Sequence, residues 1–470
     1  MGEKEASLVN REPLWERTLR KIRELWPLGD PLALKDSVGG DLTQPDLEKV
    51  RVKIDACLAG EGGEVSARAR AAELGETYAV LTAHGRRRFL KLLAEAYDVD
   101  GRELDGAMTR YREARDPVER QQATVNLRDL LEPPRIKLLR QFNSLRGGVK
   151  FLVDLRAELM TWAREDEALQ ALDRDLCRLL GSWFDVGFLE LQRITWDTSA
   201  ALLEKLIRYE AVHEITSWRD LKNRLEGDRC CYAFFHPHMP QEPLIFVEVA
   251  LVNGIAVSIH DLLDQEAPAT DPGQADTAIF YSISNCQAGL AGVSFGNFLI
   301  KRVVADLSVK FPTIKTFSTL SPIPGFIRWL QQQEDVVELV DVDSEAVACL
   351  RAEPIDVDCF SALLGAGGSK PVNEKQRLLQ QALLALCARY LLTAKRGTQA
   401  WDRVAHFHLS NGAQVKQINW AANRSPRGIQ ESAGMMVNYL YDLSSIEKHH
   451  EAYRSQGQIS AVPTVKRLLK

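Results

Sequence analysis

Residues 277–307 read TAIFYSISNCQAGLAGVSFGNFLIKRVVADL. The β-branched and aromatic run over 277–284 reads as a strand. Small residues follow, Gly289, Gly292 and Gly296 among them, and then Phe298, Val303, Val304 and Leu307 line one face of a helix. Strand, glycine-rich loop and amphipathic helix in that order are a unit of a sheet with helices packed on it. Inside the loop, GVSFG at 292–296 allows two readings. As G-x-S-x-G it is a nucleophile elbow presenting Ser294. As a loop entering a helix it is an anion cradle made of backbone amides.

An elbow needs its serine almost directly after the strand, and here NCQAGLAGV intervenes. The order Ser294, then Asp341 or Asp356, then His406 or His408 still satisfies a hydrolase triad. No HGG-like oxyanion stretch lies upstream, and HPHMP at 236–240 carries prolines where amide donors are needed. The cradle reading has each part in order, with Lys301 and Arg302 adding positive charge. The spacing Gln287-x-Gly289-x-x-Gly292 after a strand resembles the pyrophosphate loop of the acetyltransferase fold that binds coenzyme A.

Outward from this unit, CYAFF, PLIFVEVALV, TIKTFSTLS and HFHLSNGAQVKQINW carry strand patterning, and EKQRLLQQALLALCARYLL a helix. LLGAGGSKPVNEK at 363–375 is an internal loop. In TIKTFSTLSPIPGF, Pro322 and Pro324 cannot donate to a ladder, so the strand is expected to stop near Ser321, at the sheet edge where ligands bind. Asn411-Gly412 suits a two-residue hairpin turn, which would put His406 and His408 on one face of a strand. An imidazole there suits general acid or base chemistry. His236-x-His238 and the 406/408 pair lack a carboxylate or cysteine at ligand spacing, so no metal is expected.

Before about Val186 the grammar changes. LWERTLRKIRELW, QPDLEKVRVKIDACLAG, GRRRFLKLLAEAY, VKFLVDLRAELMTWARE and LQALDRDLCRLLGSW repeat apolar residues at three- and four-residue spacing. The expected fold is therefore α+β. An N-terminal all-α helical domain over 1–185, suited to docking or oligomerisation, precedes a mixed α/β catalytic domain over 186–470.

The 470 residues are 45% apolar, enough for a sizeable core. A net charge of -5 with no long basic run argues against nucleic acid or an anionic membrane as partner. The longest apolar stretch, 243–257, is interrupted by Glu248 and Asn253 and is too short to span a bilayer. The first residues show no apolar leader core, and eight scattered cysteines without C-x-x-C pairs suit a reduced, cytoplasmic setting as structural thiols.

Five blocks in order, FHPHMPQEPLIFVEVAL, IFYSISNCQAGLAGVSFGNFLIKRVV, FSTLSPIPGF, HFHLSNGAQVKQINW and SPRGIQESAGMMVNYLY, resemble the malonyl-CoA decarboxylase family over most of 186–442. The resemblance implies a GNAT-like catalytic domain that converts malonyl-CoA to acetyl-CoA and carbon dioxide without a cofactor. It puts the catalytic serine on Ser321 and the catalytic histidine on His408 rather than His406. The coenzyme A loop falls on Ala291, Gly292, Val293, Ser294, Phe295, Gly296 and Asn297. Animal members carry glutamate where this chain has Ser294, so a role for that carboxylate does not transfer. A homo-oligomer, dimer or tetramer, through the helical domain is expected. The same scaffold suits two other functions, an N-acyltransferase or a non-catalytic acyl-CoA sensor.

Overall fold

The computed structural model describes residues 38–470 apart from 61–62, 144, 146, 294–297, 334–348, 351, 353 and 365–372. Its chain forms two compact units, one made of 1–188 with 236–240 and 287–294, the other of the remaining residues.

The first unit is helical. Its helix Glu167–Trp183 buries Leu169, Leu172, Leu176, Leu179 and Leu180, the three- and four-residue stripe of one helix face. Asp166 caps it by accepting from the Ala168 and Leu169 amides. Helix Gly148–Trp162 buries Val149, Leu152, Val153, Leu155 and Leu159 in the same manner. Arg135, almost fully buried, is held by Asp175 at 2.9 Å and by Asp98 at 3.1 Å. Helices Gly101–Glu113 and Pro117–Leu130 are different: the first buries only Ala107 and the second buries nothing. The expected helix over LWERTLRKIRELW lies outside the described residues.

The second unit is built on an eight-stranded sheet. Its strands are β1 (Glu190–Ile194), β2 (Arg229–Phe235), β3 (Ile245–Val252), β4 (Thr277–Asn285), β5 (Thr316–Thr319), β6 (Ser321–Pro322), β9 (Gln414–Asn419) and β10 (Met436–Leu440). A separate two-stranded hairpin joins β7 (Lys395–Arg396) to β8 (Gln399–Ala400). The order is β1-β2-β3-β4-β5-β10-β6, with β9 beside β10. Among the described strands only β4 and β5 pair in parallel, and the helix Phe298–Lys310 is their crossover. A helical region followed along the chain by a mixed sheet is the α+β architecture expected. One strand, β1, has no counterpart among the expected strands: ELQRI is short, polar and mostly exposed, so its alternation is weak.

β4 and β5 pair from Thr277↔Thr316 to Phe280↔Thr319 and then part, because β4 runs on to Asn285 while the chain after Thr319 turns onto β10. The strand stops near Ser321 as expected: β5 ends at Thr319 and its ladder on β10 resumes only for Ser321 and Pro322. Ser321 and Pro322 pair with Val437 and Met436 in the register set by Ser318↔Leu440, with their other edge facing where β4 has left, so proline's missing N–H costs no ladder bond there.

Two expectations need correction. Arg403–Ser410 is a helix, not the first strand of a hairpin. Asp402 accepts from the Val404 and Ala405 amides and so starts it, and Asn411-Gly412 ends it, with Gly412 at φ +84° and the Ala413 amide donating to His408 O. The cysteines are also not all thiols: Cys349 and Cys359 form a disulfide, while the other six are free. No described helix is long and apolar enough to cross a membrane.

Candidate active site

Ser321 opens β6 where β4 and β5 have parted, and His408 is the sixth residue of the helix capped by Asp402. Their side chains meet: Ser321 Oγ is 3.1 Å from His408 Nε2. Both are enclosed, at 5% and 3% exposure. The second ring nitrogen, Nδ1, is 2.7 Å from Tyr441 Oη, and Tyr439 from the same β10 segment stacks on the imidazole with centroids 4.6 Å apart. Residues 439 and 441 are two apart in extended chain, so both rings reach the same side.

The hydrogen-bond chain assigns the tautomer. Ser321 Oγ donates to Thr319 Oγ1 at 2.9 Å, and Thr319 Oγ1 also accepts from the Tyr439 amide at 3.0 Å. Ser321 has one hydrogen, so the hydrogen on its line to His408 belongs to Nε2, and Nδ1 accepts from Tyr441. Burial pushes the His408 pKa down to about 3, so the ring is neutral at ordinary pH. Both imidazole nitrogens are thus occupied by neutral hydroxyls, and the carboxylate a hydrolase triad would require is not there. Asp356 instead accepts from the Cys359 amide, and Asp341 lies outside the described residues.

His406 and His408 do not share a face. Two residues apart on a helix, they are rotated by about 200° from one another. His406 turns away and bonds Tyr453 Oη at 2.8 Å through Nδ1. Asn419 and Asn438 are structural neighbours of the pair. Asn438 Nδ2 donates to Thr319 O at 2.6 Å and Ala256 O at 3.0 Å, while Oδ1 accepts from Asn419 Nδ2 at 2.6 Å. Those bonds use the whole Asn438 amide and tie β10 to the end of β5, which holds Ser321 in register. Tyr439 Oη, fully buried, has no hydrogen-bond partner.

The floor beneath the pair is a second anchored point. Asp402 Oδ2 accepts from Tyr390 Oη at 3.1 Å and from the Gly325 amide at 3.4 Å. A Cβ on Gly325 would come within 2.2 Å of Tyr390 Oη, so glycine is required for the approach. This links the segment after Ser321 to the start of the His408 helix. Sequence reasoning missed Tyr441 as the partner of His408 and missed Asp402 altogether; Asp402 followed by a helical run was the available signal.

Of the expected anion loop, Ala291, Gly292 and Val293 are described, and Ser294, Phe295, Gly296 and Asn297 lie outside the described residues. The loop's Ala291 and Val293 amides donate to Ala288 O and Leu290 O, both near 3 Å, and so are already engaged. Gly292 has φ +80°. Arg156, buried, donates through Nη1 to Gly289 O at 2.7 Å and Ala291 O at 2.8 Å, and pairs with Asp173 through Nε. A Cβ on Gly289 would lie 1.7 Å from Val153 O. The loop is therefore seated on helix Gly148–Trp162 by contact and by charge-assisted bonds.

His236 Nε2 faces Trp183 O at 3.1 Å. Among the described residues no three His, Cys, Asp or Glu side chains gather as metal ligands.

The family model described as malonyl-CoA decarboxylase C-terminal domain matches residues 187–470, and the one described as its N-terminal domain matches 97–184. The chain is similar to the mitochondrial malonyl-CoA decarboxylase of Anser anser anser, at 38% identity over 83% of this chain and 81% of that one. It is 36% identical to that of Mus musculus, over 80% of each. Among solved structures, malonyl-CoA decarboxylase from Rhodopseudomonas palustris superposes with a TM-score of 0.79 at 40% identity, covering 90% of this chain and 99% of that one. The Agrobacterium vitis structure gives 0.79 at 39%, covering 90% and 100%.

Proposed function

Because the chain belongs to the malonyl-CoA decarboxylase family, we propose that Ser321 and His408 are the pair with which it converts malonyl-CoA to acetyl-CoA and carbon dioxide. It is an enzyme of the carboxy-lyase class. The observation that carries the assignment of roles is the 3.1 Å contact between two enclosed side chains, one at the point where β4 and β5 part.

The chemistry runs as follows. The bond between C2 and the malonyl carboxylate breaks, and its electron pair moves into the thioester carbonyl as an enolate. A hydrogen-bond donor preorganised toward that developing charge lowers the barrier, by roughly 3–4 kcal/mol for a single donor. Ser321 supplies it by turning its hydroxyl hydrogen from Thr319 to the malonyl group. C2 then takes a proton from His408 Nε2, leaving an imidazolate that the Tyr441 hydroxyl steadies through Nδ1 until water restores the proton and departs as hydroxide. A ring kept neutral by burial suits this, because a neutral N–H is acid enough for a carbon base while no standing positive charge holds the substrate carboxylate in place.

The coenzyme A moiety is assigned to the loop 291–297, in which the Ala291 and Val293 amides are engaged within the loop itself. A homo-oligomer through the helical unit is supported by helix Pro117–Leu130, which buries nothing, and by Val118, Val125 and Leu131 at 72%, 51% and 53% exposure. A cytoplasmic setting is supported by the adjacent unbridged thiols of Cys230 and Cys231, and the Cys349–Cys359 bond weighs against it.

Ser321→Ala and His408→Asn should each abolish carbon dioxide release from malonyl-CoA and leave coenzyme A binding nearly intact. Full activity in either variant would overturn the roles.

A further inference from the structure

The second unit contains a cavity of about 700 Å³ that none of Ser321, His408, Thr319 and Tyr441 lines. That is a usual size for a small-molecule site. Its walls carry Arg328, Arg396 and Arg403, and its floor includes Tyr390, Trp401 and Asp402. Among the described residues none of the three arginines is within ion-pair distance of a carboxylate. The two acidic side chains of the cavity are already engaged. Glu431 pairs with Arg427 at 2.9 Å, and Asp402 accepts from two amides of its own helix, the Gly325 amide and Tyr390 Oη. Among the described residues the lining therefore carries three arginines without an ion-pair partner against one such carboxylate, Asp402, a net positive charge.

One detail suits it to a ligand rather than to solvent alone. The Arg396 guanidinium lies 4.2 Å from the centre of the Trp401 ring, a stacking that orients its N–H edges while leaving them unpaired.

We propose that this cavity is a second binding site, separate from the coenzyme A site, for a small organic polyanion bearing phosphate or carboxylate groups. Its position gives the occupant a route to the reaction. Arg328 belongs to the helix Phe326–Gln331, which follows the Ser321 segment directly, and Arg403 begins the His408 helix. The two elements meet at the bond from the Gly325 amide to Asp402. An anion bridging Arg328 and Arg403 draws together the segments that present Ser321 and His408, so occupancy steadies their 3.1 Å contact.

The test is calorimetric titration of inorganic pyrophosphate, and separately of citrate, into the full-length enzyme saturated with coenzyme A. The expected result is one site per chain for at least one probe, with affinity lost by about tenfold or more in the R328Q/R396Q double variant. Turnover of that variant without probe should stay close to wild type, and binding should quench a fluorescence component that W401F lacks. Pyrophosphate binding alone would assign phosphate chemistry, and citrate binding alone carboxylate chemistry. Three results would each overturn the proposal. Neither probe binds the coenzyme A-saturated enzyme, or the double variant binds as wild type does, or the double variant loses carbon dioxide release as Ser321→Ala does, which would make the cavity part of the substrate site.

Discussion

Tyr441 Oη lies 2.7 Å from His408 Nδ1, on the far side of the ring from Ser321. A phenol in that position fixes which nitrogen carries the proton, a task that a carboxylate performs in a hydrolase triad. It does so without adding charge, because burial holds the Tyr441 pKa well above its ordinary value. Tyr441→Phe should lower kcat by about 10- to 100-fold with KM changed by less than about threefold, as loss of a positioning interaction felt mainly in the transition state. Steady-state carbon dioxide release measures it, and a loss confined to KM would count against positioning.

Two buried histidines set the acid response. His408 and His213 are each pushed down to about 3, both first by burial. Unfolded histidine titrates near 6.5, so between pH 6.5 and 3 the unfolded chain binds protons that the folded chain does not. Stability from these groups is complete above about pH 6.5 and falls by about 1.4 kcal/mol per histidine for each unit of acidification below it. Thermal unfolding from pH 7.5 to 5 should show falling Tm, with a shallower slope in His213→Gln. The kcat profile should show no limb between pH 6 and 7. Such a limb would mean that His408 becomes charged in the working enzyme.

The loop seat in the helical unit makes a binding prediction. Arg156 holds two carbonyls of the loop, and Gly289 has no room for a methyl group against Val153 O. Arg156→Leu removes both bonds to the loop, each worth about 1.5–3 kcal/mol, together with the pair to Asp173. It should raise KM for malonyl-CoA by about tenfold or more. Gly289→Ala should do the same or more. Equilibrium coenzyme A binding checks both, and unchanged affinity would detach the loop from the substrate.

A stability prediction rests on the buried cluster behind the sheet. Arg224 bonds Asp220 at 2.8 Å and Glu248 at 3.1 Å, all three nearly fully buried. Burial raises the Glu248 pKa and Arg224 opposes that rise, so its ionised form depends on the guanidinium. Arg224→Met leaves two carboxylates buried without their cation, a loss of about 3–5 kcal/mol. Urea denaturation measures it. The double change Arg224→Met with Glu248→Gln should recover part of the loss, because one uncompensated charge is then gone.

Much of the fold was legible locally. The run 277–307 reads as strand, glycine loop and helix because each element carries its own periodicity, and TIKTFSTLSPIPGF announces a strand interrupted by proline through proline's missing donor. The apolar stripes of Gly148–Trp162 and Glu167–Trp183 were equally plain. What misled was HFHLSNGAQ: an Asn-Gly pair beside apolar residues satisfies a hairpin turn and a helix end alike, since both need a residue at positive φ, here Gly412 at +84°. The helix formed because Asp402 supplies its cap, and the cap is itself held by Tyr390 and Gly325 from distant segments.

The sequence by itself thus determined the order of helical and mixed halves, the strand-loop-helix unit, and Ser321 and His408 as the residues to watch, the histidine through resemblance rather than spacing. Only the tertiary structure decided which neighbours those residues have. Tyr441 is 33 positions from His408 and Ser321 is 87, and nothing in local periodicity encodes which face of a helix meets which end of a strand. That is settled by packing β10 between β9 and the β5–β6 segment, which carries Tyr439 and Tyr441 to the imidazole, while the helix turn puts His406 about half a turn away from it.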